Sequence, residues 1–512
     1  MSHLDAAFVQ QSFVACLSAA SVSAWLMSAG AKGTGKDASA TKEFKRFQRT
    51  YLLVYLTATF SDWLQGPYLY AIYESYGISA GDNAILCMVG FGSSMVFGTV
   101  FASWADRIGR RKAAMLYCIS YIVHNATKHF NWYGVLVLGR IFGGISISLL
   151  FSVFDAWLVC EHHHRCFDPE LLSSTFSLAG GLNAVGAILA GIVAQVAADG
   201  TGGGSTFYAA FPTLSTEVVK TIEVHTGGYC APFDVSSVIL LGNVFLLRSL
   251  WTENYGTTVS APTAKSTEAH MPKKGAAAVL ELVMTEVDSM RSGLKSVLAD
   301  RSILCCGIVC ALFEAAMFIF IFQWTPAITI EGYPEPPYGT VFACFMVPCM
   351  IGSKVFDILS ITRSCVAIGK MTLFVAAITH AVPVVTGDAK LRFLAFLVFE
   401  FTVGVYFPMI GTMKGNLVPD AARATVYSIF RVPLNFAVIV VLGNRCPVVP
   451  SFLLTCLMLL VACIAQRQIH EEDASGKATH LDVELSPTVL SGRSPSATTL
   501  GGRLSPTASS AV

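Results

Sequence analysis

Apolar residues along the chain gather into windows of about twenty, long enough for a helix to cross the hydrocarbon core of a bilayer. Thirteen such windows can be read, the first near 7–28. Six follow near 51–73, 84–104, 113–128, 133–158, 172–198 and 234–250. A polar stretch of about fifty residues intervenes, and six more windows lie near 302–324, 339–360, 364–386, 391–413, 421–443 and 448–466. The pattern predicts an all-α polytopic membrane protein with one leading helix and two groups of six. The expected divisions are an N-terminal anchor and basic linker (1–50), a first bundle (51–250), a connecting loop (251–301), a second bundle (302–466) and a disordered tail (467–512). Within the connecting loop, Val279, Leu282, Val283 and Val287 recur at helical spacing and predict an amphipathic helix at the membrane surface.

Composition sharpens this picture. Charged residues make up 13% of the 512 positions and apolar residues 54%, whereas a soluble domain carries about 25% charge. Lys and Arg number 34 against 33 Asp and Glu, so there is no basic footprint for nucleic acid. The positive charges are unevenly placed. With the 29–50 linker in the cytoplasm, alternating loops put twenty Lys and Arg inside and five outside. That bias predicts an outside N-terminus and a cytoplasmic C-terminus. The leading segment has Asp5 and no cation before its apolar run, which predicts a retained helix rather than a signal peptide. Most of the fifteen cysteines read as small buried hydrophobes; Cys230 and Cys446 fall in loops on the same face, which allows a bridge between them.

Between the second and third windows of the first bundle runs Ala102-Ser-Trp-Ala-Asp106-Arg107-Ile-Gly109-Arg110-Arg111-Lys112. This resembles the G-x-x-x-D-R-x-G-R-R loop of major facilitator superfamily transporters, with Ala102 in place of the first glycine. The resemblance implies two pseudo-symmetric six-helix bundles and alternating access, with Asp106, Arg107, Gly109, Arg110 and Arg111 as a gating latch. The second half has only a degraded counterpart, Gly352-Ser-Lys354-Val-Phe-Asp357. Further stretches are similar to the eukaryotic molybdate-anion transporter family, which has an extra N-terminal helix. They include Asp62-Trp-Leu-Gln-Gly-Pro-Tyr-Leu-Tyr70, Leu150-Phe-Ser-Val-Phe-Asp-Ala-Trp157, Trp251-Thr-Glu-Asn-Tyr255, Gln323-Trp-Thr-Pro326 and Phe430-Arg-Val-Pro-Leu434. The resemblance implies uptake of molybdate at the plasma membrane, with no cofactor and no enzymatic chemistry. The competing readings are another small anion, such as sulfate or an organic anion, and a transporter-like receptor or scaffold.

Ionisable residues at membrane depth are functional candidates. Asp62 lies eleven residues into its span, or about 16 Å deep at 1.5 Å per residue. Glu314 and Glu400 lie at similar depth, and Asp155 lies nearer the inner surface. The deep arginines are Arg140 and Arg431, one in each half. Guanidinium forks suit paired oxyanion oxygens, so these two are the expected substrate ligands. Tyr68, Tyr70, Gln65, Trp324, Tyr406 and Asn435 are expected as donors or walls. The bland alternative pairs Arg140 with Asp62 or Asp155, and Arg431 with Glu400 or Glu314. A deep acid, Asp62, Glu314 or Glu400, could also carry a proton with the anion. The Cys160–Cys166 segment with its three histidines reads as a solvated loop rather than a metal site.

Overall fold

A computed structural model describes residues 3–30, 42–201, 205–211, 220–255, 291, 294–295, 297–418, 423–443 and 447–470. Its helices are α1 (Ala6–Gly30), α2 (Lys42–Trp63), α3 (Leu69–Ser75), α4 (Ala80–Ile108), α5 (Arg110–Ala126), α6 (Tyr133–His164), α7 (Pro169–Gly200) and α8 (Ala231–Leu250). The second half holds α9 (Arg301–Ile328), α10 (Tyr338–Thr362), α11 (Cys365–Val385), α12 (Ala389–Leu417), α13 (Arg423–Gly443) and α14 (Val448–Gln466). Counting α2 with α3 as one crossing gives the thirteen expected. Eight of the described helices are long and apolar enough to span a membrane on composition alone. α2 falls short because it opens on the basic run Lys42–Arg49, and α5 because it is only 17 residues long and opens on Arg110–Lys112.

The helix ends follow local chemistry. Ser79 caps α4, accepting from the Asp82 amide at 3.2 Å. Asp300, Ser364 and Asp388 cap α9, α11 and α12 in the same way, satisfying amides that the first helical turn leaves free. The first main crossing breaks at Gly66-Pro67-Tyr68, a single 3-10 turn between α2 and α3. Proline has no N–H to continue the ladder.

The helices form two bundles. α2 and α4–α8 pack on one another around Phe47, Tyr51, Phe154, Trp157 and Trp251. α9–α14 pack around Phe313, Phe320, Phe345, Phe396 and Tyr406. The bundles meet along α7 with α10 and along α4 with α13. At the first seam Gly191 and Gly339 touch backbone to backbone; a Cβ on Gly191 would stand 2.7 Å from the Gly339 carbonyl oxygen.

The leading helix belongs to the second half. Asp5 pairs with Lys390 at 2.8 Å, Phe8 meets Phe393 edge-on, and Val9 packs near Cys344. Lower down, Ala20 joins Ile188 of α7 and Ala343 and Val347 of α10. α1 therefore lies over a seam between the bundles. Lys390 draws the Asp5 carboxyl below its ordinary range.

One feature adds to the helical frame, and one expectation needs amendment. The connection between α7 and α8 holds an antiparallel hairpin, β1 (Ser205–Phe211) with β2 (Lys220–Thr226), Ser205 facing Thr226. Membrane-span windows do not sense a strand pair in a polar connection. The His162 segment is the last turn of α6 rather than a loop, and His162 is buried against Phe44, Phe47 and Phe167. The amphipathic stretch near 276–298 falls mostly outside the described residues, as does the tail beyond His470. So does Cys446; Cys230 is a free thiol. β1 and β2 mark one end of the molecule, the hairpin end, and the Gly109 turn marks the opposite one, the motif end.

Candidate functional site

In the first bundle, tyrosines hold the deep acids. The Tyr121 hydroxyl of α5 donates to Asp62, and the Tyr51 hydroxyl donates to Asp155 at 3.2 Å. Arg140 takes neither acid. It is 9% exposed, and its Nε donates to the Leu86 carbonyl at 3.0 Å. The expected pairing of Arg140 with Asp62 or Asp155 is thus corrected: phenols cap both acids, and the guanidinium turns toward α4. Gln65 is also committed, donating to the Ser61 carbonyl and the Ser236 hydroxyl, each at 3.3 Å. It joins α2 to α8 rather than offering a free donor.

The second bundle is arranged differently. Tyr406 donates to Glu314 at 3.2 Å and stacks on Phe313. The Lys414 ammonium and Arg431 guanidinium lie within electrostatic range of Glu314. Arg431 is exposed on α13, Asn435 half-buried one turn on. Glu400 is buried in α12 beside Cys349 of α10 and forms no ion pair among the described residues. A direct bridge from Arg431 to Glu400 or Glu314 is therefore not made; only Glu314 and Arg431 influence each other, and at longer range.

The hydrogen bonds tying the bundles together gather at the hairpin end. Gln195 Oε1 accepts from the Tyr68 hydroxyl at 3.0 Å and from the Gly339 amide at 2.9 Å. Tyr229 donates across to Glu335. Tyr68 meets Tyr229 and Tyr338, Trp324 packs on Tyr338, and Tyr70 meets Phe322. Tyr68 and Trp324 are parts of this closure, and the Tyr68 hydroxyl is already used by protein.

At the motif end, Gly109 turns the chain between α4 and α5 at φ +105°, where a side chain would be strained. A Cβ there would also strike the Glu253 carboxyl. Glu253 accepts from the Arg111 amide at 2.8 Å, and its other oxygen stands 3.6 Å from the Arg111 guanidinium. Arg111 donates to the Trp251 carbonyl and Arg110 to the Ala156 carbonyl. The side chains of Asp106 and Arg107 lie outside the described residues. Glu253 was missed by the sequence reading, although its Trp251-Thr-Glu-Asn-Tyr255 stretch was visible. In the degraded counterpart Lys354 pairs at 3.1 Å with Asp357 of its own helix.

No group of three metal-ligating side chains occurs among the described residues. His162 is accounted for by the Asp168 carbonyl at 3.0 Å, and Glu161 by Arg165 at 2.7 Å. A cavity of about 440 Å³ opens at the start of α2, lined by Lys42, Lys45, Arg46, Arg49, Leu53 and Leu250. It lies at the motif end of α2, away from the deep residues.

Against known proteins, residues 13–230 and 215–392 match a family model described as sugar transporters, 12 TM. The molybdate-anion transporter of Takifugu rubripes is 33% identical over 417 residues, spanning 78% of this chain and 79% of that protein. Its Danio rerio namesake is 34% identical over 419 residues, with the same coverage. Among solved structures, a D-xylose–proton symporter covers 84% of this chain and 99% of its own at TM-score 0.60 and 11% identity. The inward open xylose transporter XylE from E. coli aligns at TM-score 0.58 and 11% identity, covering 83% of this chain and 97% of its own. At such identity these two show a shared fold. The relatives are transporters, not enzymes.

Proposed function

The chain belongs to the molybdate-anion transporter family of major facilitators, and from that premise we propose that it imports molybdate across the plasma membrane by alternating access. The observation that carries the reading is 33% identity, across 78% of the chain, to a relative bearing that name. The chain is a multi-pass membrane protein, and the Lys/Arg bias of its loops supports a cytoplasmic motif end. The N-terminus then lies outside and the C-terminus inside. The closure at the hairpin end corresponds to an inward-facing state.

Arg140 and Arg431 act as anion ligands, one from each bundle. Both are always charged, and their planar forks suit a tetrahedral dianion. Asn435 and Tyr406 lie near the Arg431 arm. Glu314 and Glu400 are the candidate proton carriers. A proton taken up with the anion offsets charge moved against an inside-negative potential, which opposes entry by about 2.3 kcal/mol per charge per 100 mV. The chain has no G-x-x-x-x-G-K-[ST] loop, so ATP is not the driver in this reading.

Molybdenum accumulation in cells lacking their own importer tests the cargo. Expression of the chain is expected to raise accumulation from nanomolar molybdate, with little effect of excess sulfate. Accumulation equal to that of control cells, with the protein at the surface, would refute it.

A further inference from the structure

Lys128 sits in the short turn between α5 and α6, where a lysine would ordinarily reach water. It is instead 0% exposed. Its ammonium donates to the Tyr73 hydroxyl of α3 at 2.7 Å and lies 4.9 Å from the centre of that ring. Arg140 approaches the same hydroxyl from α6. Its guanidinium presses on α4, where a Cβ on Gly90 would come within 2.6 Å of Nη2. Two cations thus converge on one phenol oxygen in the hairpin-end half of the first bundle. Neither forms an ion pair among the described residues. Asp62, on the same crossing as Tyr73, is held by Tyr121. His124, which also faces both cations, spends its Nδ1 on the Gly139 carbonyl at 2.6 Å.

Uncompensated charge is rarely buried, because desolvation costs several kcal/mol per ion. A second orphan accompanies the pair. Asn83 is 1% exposed, and neither amide atom has a hydrogen-bond partner. It lies on α4 one turn from Cys87 and two from Gly90, on the face that Arg140 meets. Cys87 itself senses both Lys128 and Arg140. Because Lys128 donates to the Tyr73 oxygen, the phenol's own proton is left to donate elsewhere.

We propose that Lys128, Arg140, Tyr73 and Asn83 form an oxyanion-binding site in the hairpin-end half of the first bundle, a station on the transport path set apart from the Arg431 level. The inference rests on the anion-transport reading and extends it to three residues with no role there. All four groups present donors, and the two charges match a dianion. The site lies behind the α3–α9 and α4–α13 contacts, where Tyr70 meets Phe322 and Cys87, Met88 and Phe91 pack on α9 and α13. Parting of the bundles at the hairpin end exposes the site through Cys87. Closure buries the cations again, which promotes anion release toward the other half.

The test is the thermal midpoint of the purified full-length protein in sodium molybdate, sulfate or phosphate, against sodium chloride of equal ionic strength. Wild type is expected to gain several degrees in at least one oxyanion. Lys128→Met keeps the length of the side chain and removes the charge. It is expected to lose that gain while matching or exceeding the wild-type midpoint in chloride, since a buried unpaired cation has gone. A lysine serving only as a prop for Tyr73 predicts the reverse, a lower midpoint and an undiminished oxyanion gain. If Lys128→Met does not fold, Tyr73→Phe retains the ring and serves instead; a gain fully preserved there overturns the proposal. Alkylation of Cys87, followed by peptide mass spectrometry, gives a second readout. Oxyanion should slow it at least threefold in wild type and not in Lys128→Met; equal protection in both would also overturn the site. Protection by sulfate or phosphate without molybdate uptake would keep the site and discard the cargo. Normal molybdate uptake without any oxyanion effect on wild type would discard the site and keep the cargo.

Discussion

The two bundles share an architecture and differ in the charge they bury. The first encloses Lys128 and Arg140 with no paired acid among the described residues, and its own deep acids are capped by Tyr121 and Tyr51. The second buries Glu400 and half-buries Glu314, while its deep cation, Arg431, is exposed. Even the acid–tyrosine pairs are exchanged. On the first crossing of the first bundle stands Tyr51, with Asp155 on the fourth; the second bundle puts Glu314 on the first and Tyr406 on the fourth. A repeated scaffold therefore fixes positions but not electrostatics. In the proposed reading, a dianion moving between the halves passes from a cationic wall to one able to accept protons.

Removing the cationic wall should have the largest effect. Arg140→Ala is expected to raise the half-saturating molybdate concentration by about tenfold or more, since a hydrogen bond to a charged group contributes about 1.5–3 kcal/mol. Concentration-dependent uptake at matched surface amounts measures it, and an unchanged value would erase the contrast between the halves. Glu314→Gln probes the other wall. If Glu314 carries a proton, the variant retains uptake but loses its dependence on external pH; an unaltered pH profile would leave the acid a structural role.

A smaller effect is expected where the halves differ at the motif end. Glu253→Gln weakens a partly buried contact with Arg111 and should slow uptake about threefold, as judged by initial rates and the scale of such pairs. Asp357→Asn, at an exposed pair within one helix, should leave the rate unchanged. Equal effects would mean that both loops latch alike.

The smallest concerns the hairpin end. His129 contacts Asp234 at 2.8 Å, and that hydrogen bond lifts the imidazole above its ordinary value of 6.5. Because the folded value is raised, the pair stabilises fully below pH 6.5 and fades as pH rises through the folded value. Comparing thermal midpoints at pH 5.5 and 8.5, roughly a unit or more either side of a histidine's titration, His129→Gln should lose stability only at the lower pH.

Much of this was legible from residue order. Hydropathy placed the crossings, and the Asp-Arg-x-Gly-Arg-Arg spacing placed the motif loop. Counting along each span put Asp62, Glu314, Glu400, Arg140 and Arg431 at depth. Depth is only one coordinate of a helical residue; direction around the axis turns by about 100° with each position. That is why the partners were misjudged. Asp62 meets Tyr121 rather than Arg140, and Gln65 faces Ser236. Lys128 falls in a short loop by hydropathy, and nothing local tells that Tyr73 of α3 lies over it. Glu253 stood in a visible motif, but its contact with Arg111 spans 142 residues. Gly191 and Gly339 gave no sign of touching, since only packing of α7 on α10 brings them together.

The most direct test of the account is molybdate entry into liposomes that contain the purified chain, wild type beside Arg431→Ala. The account predicts saturable entry for wild type, little affected by a large excess of sulfate, and entry lost or much weakened in the variant. Entry by the wild type no faster than into protein-free liposomes, with the protein folded and inserted, would contradict it.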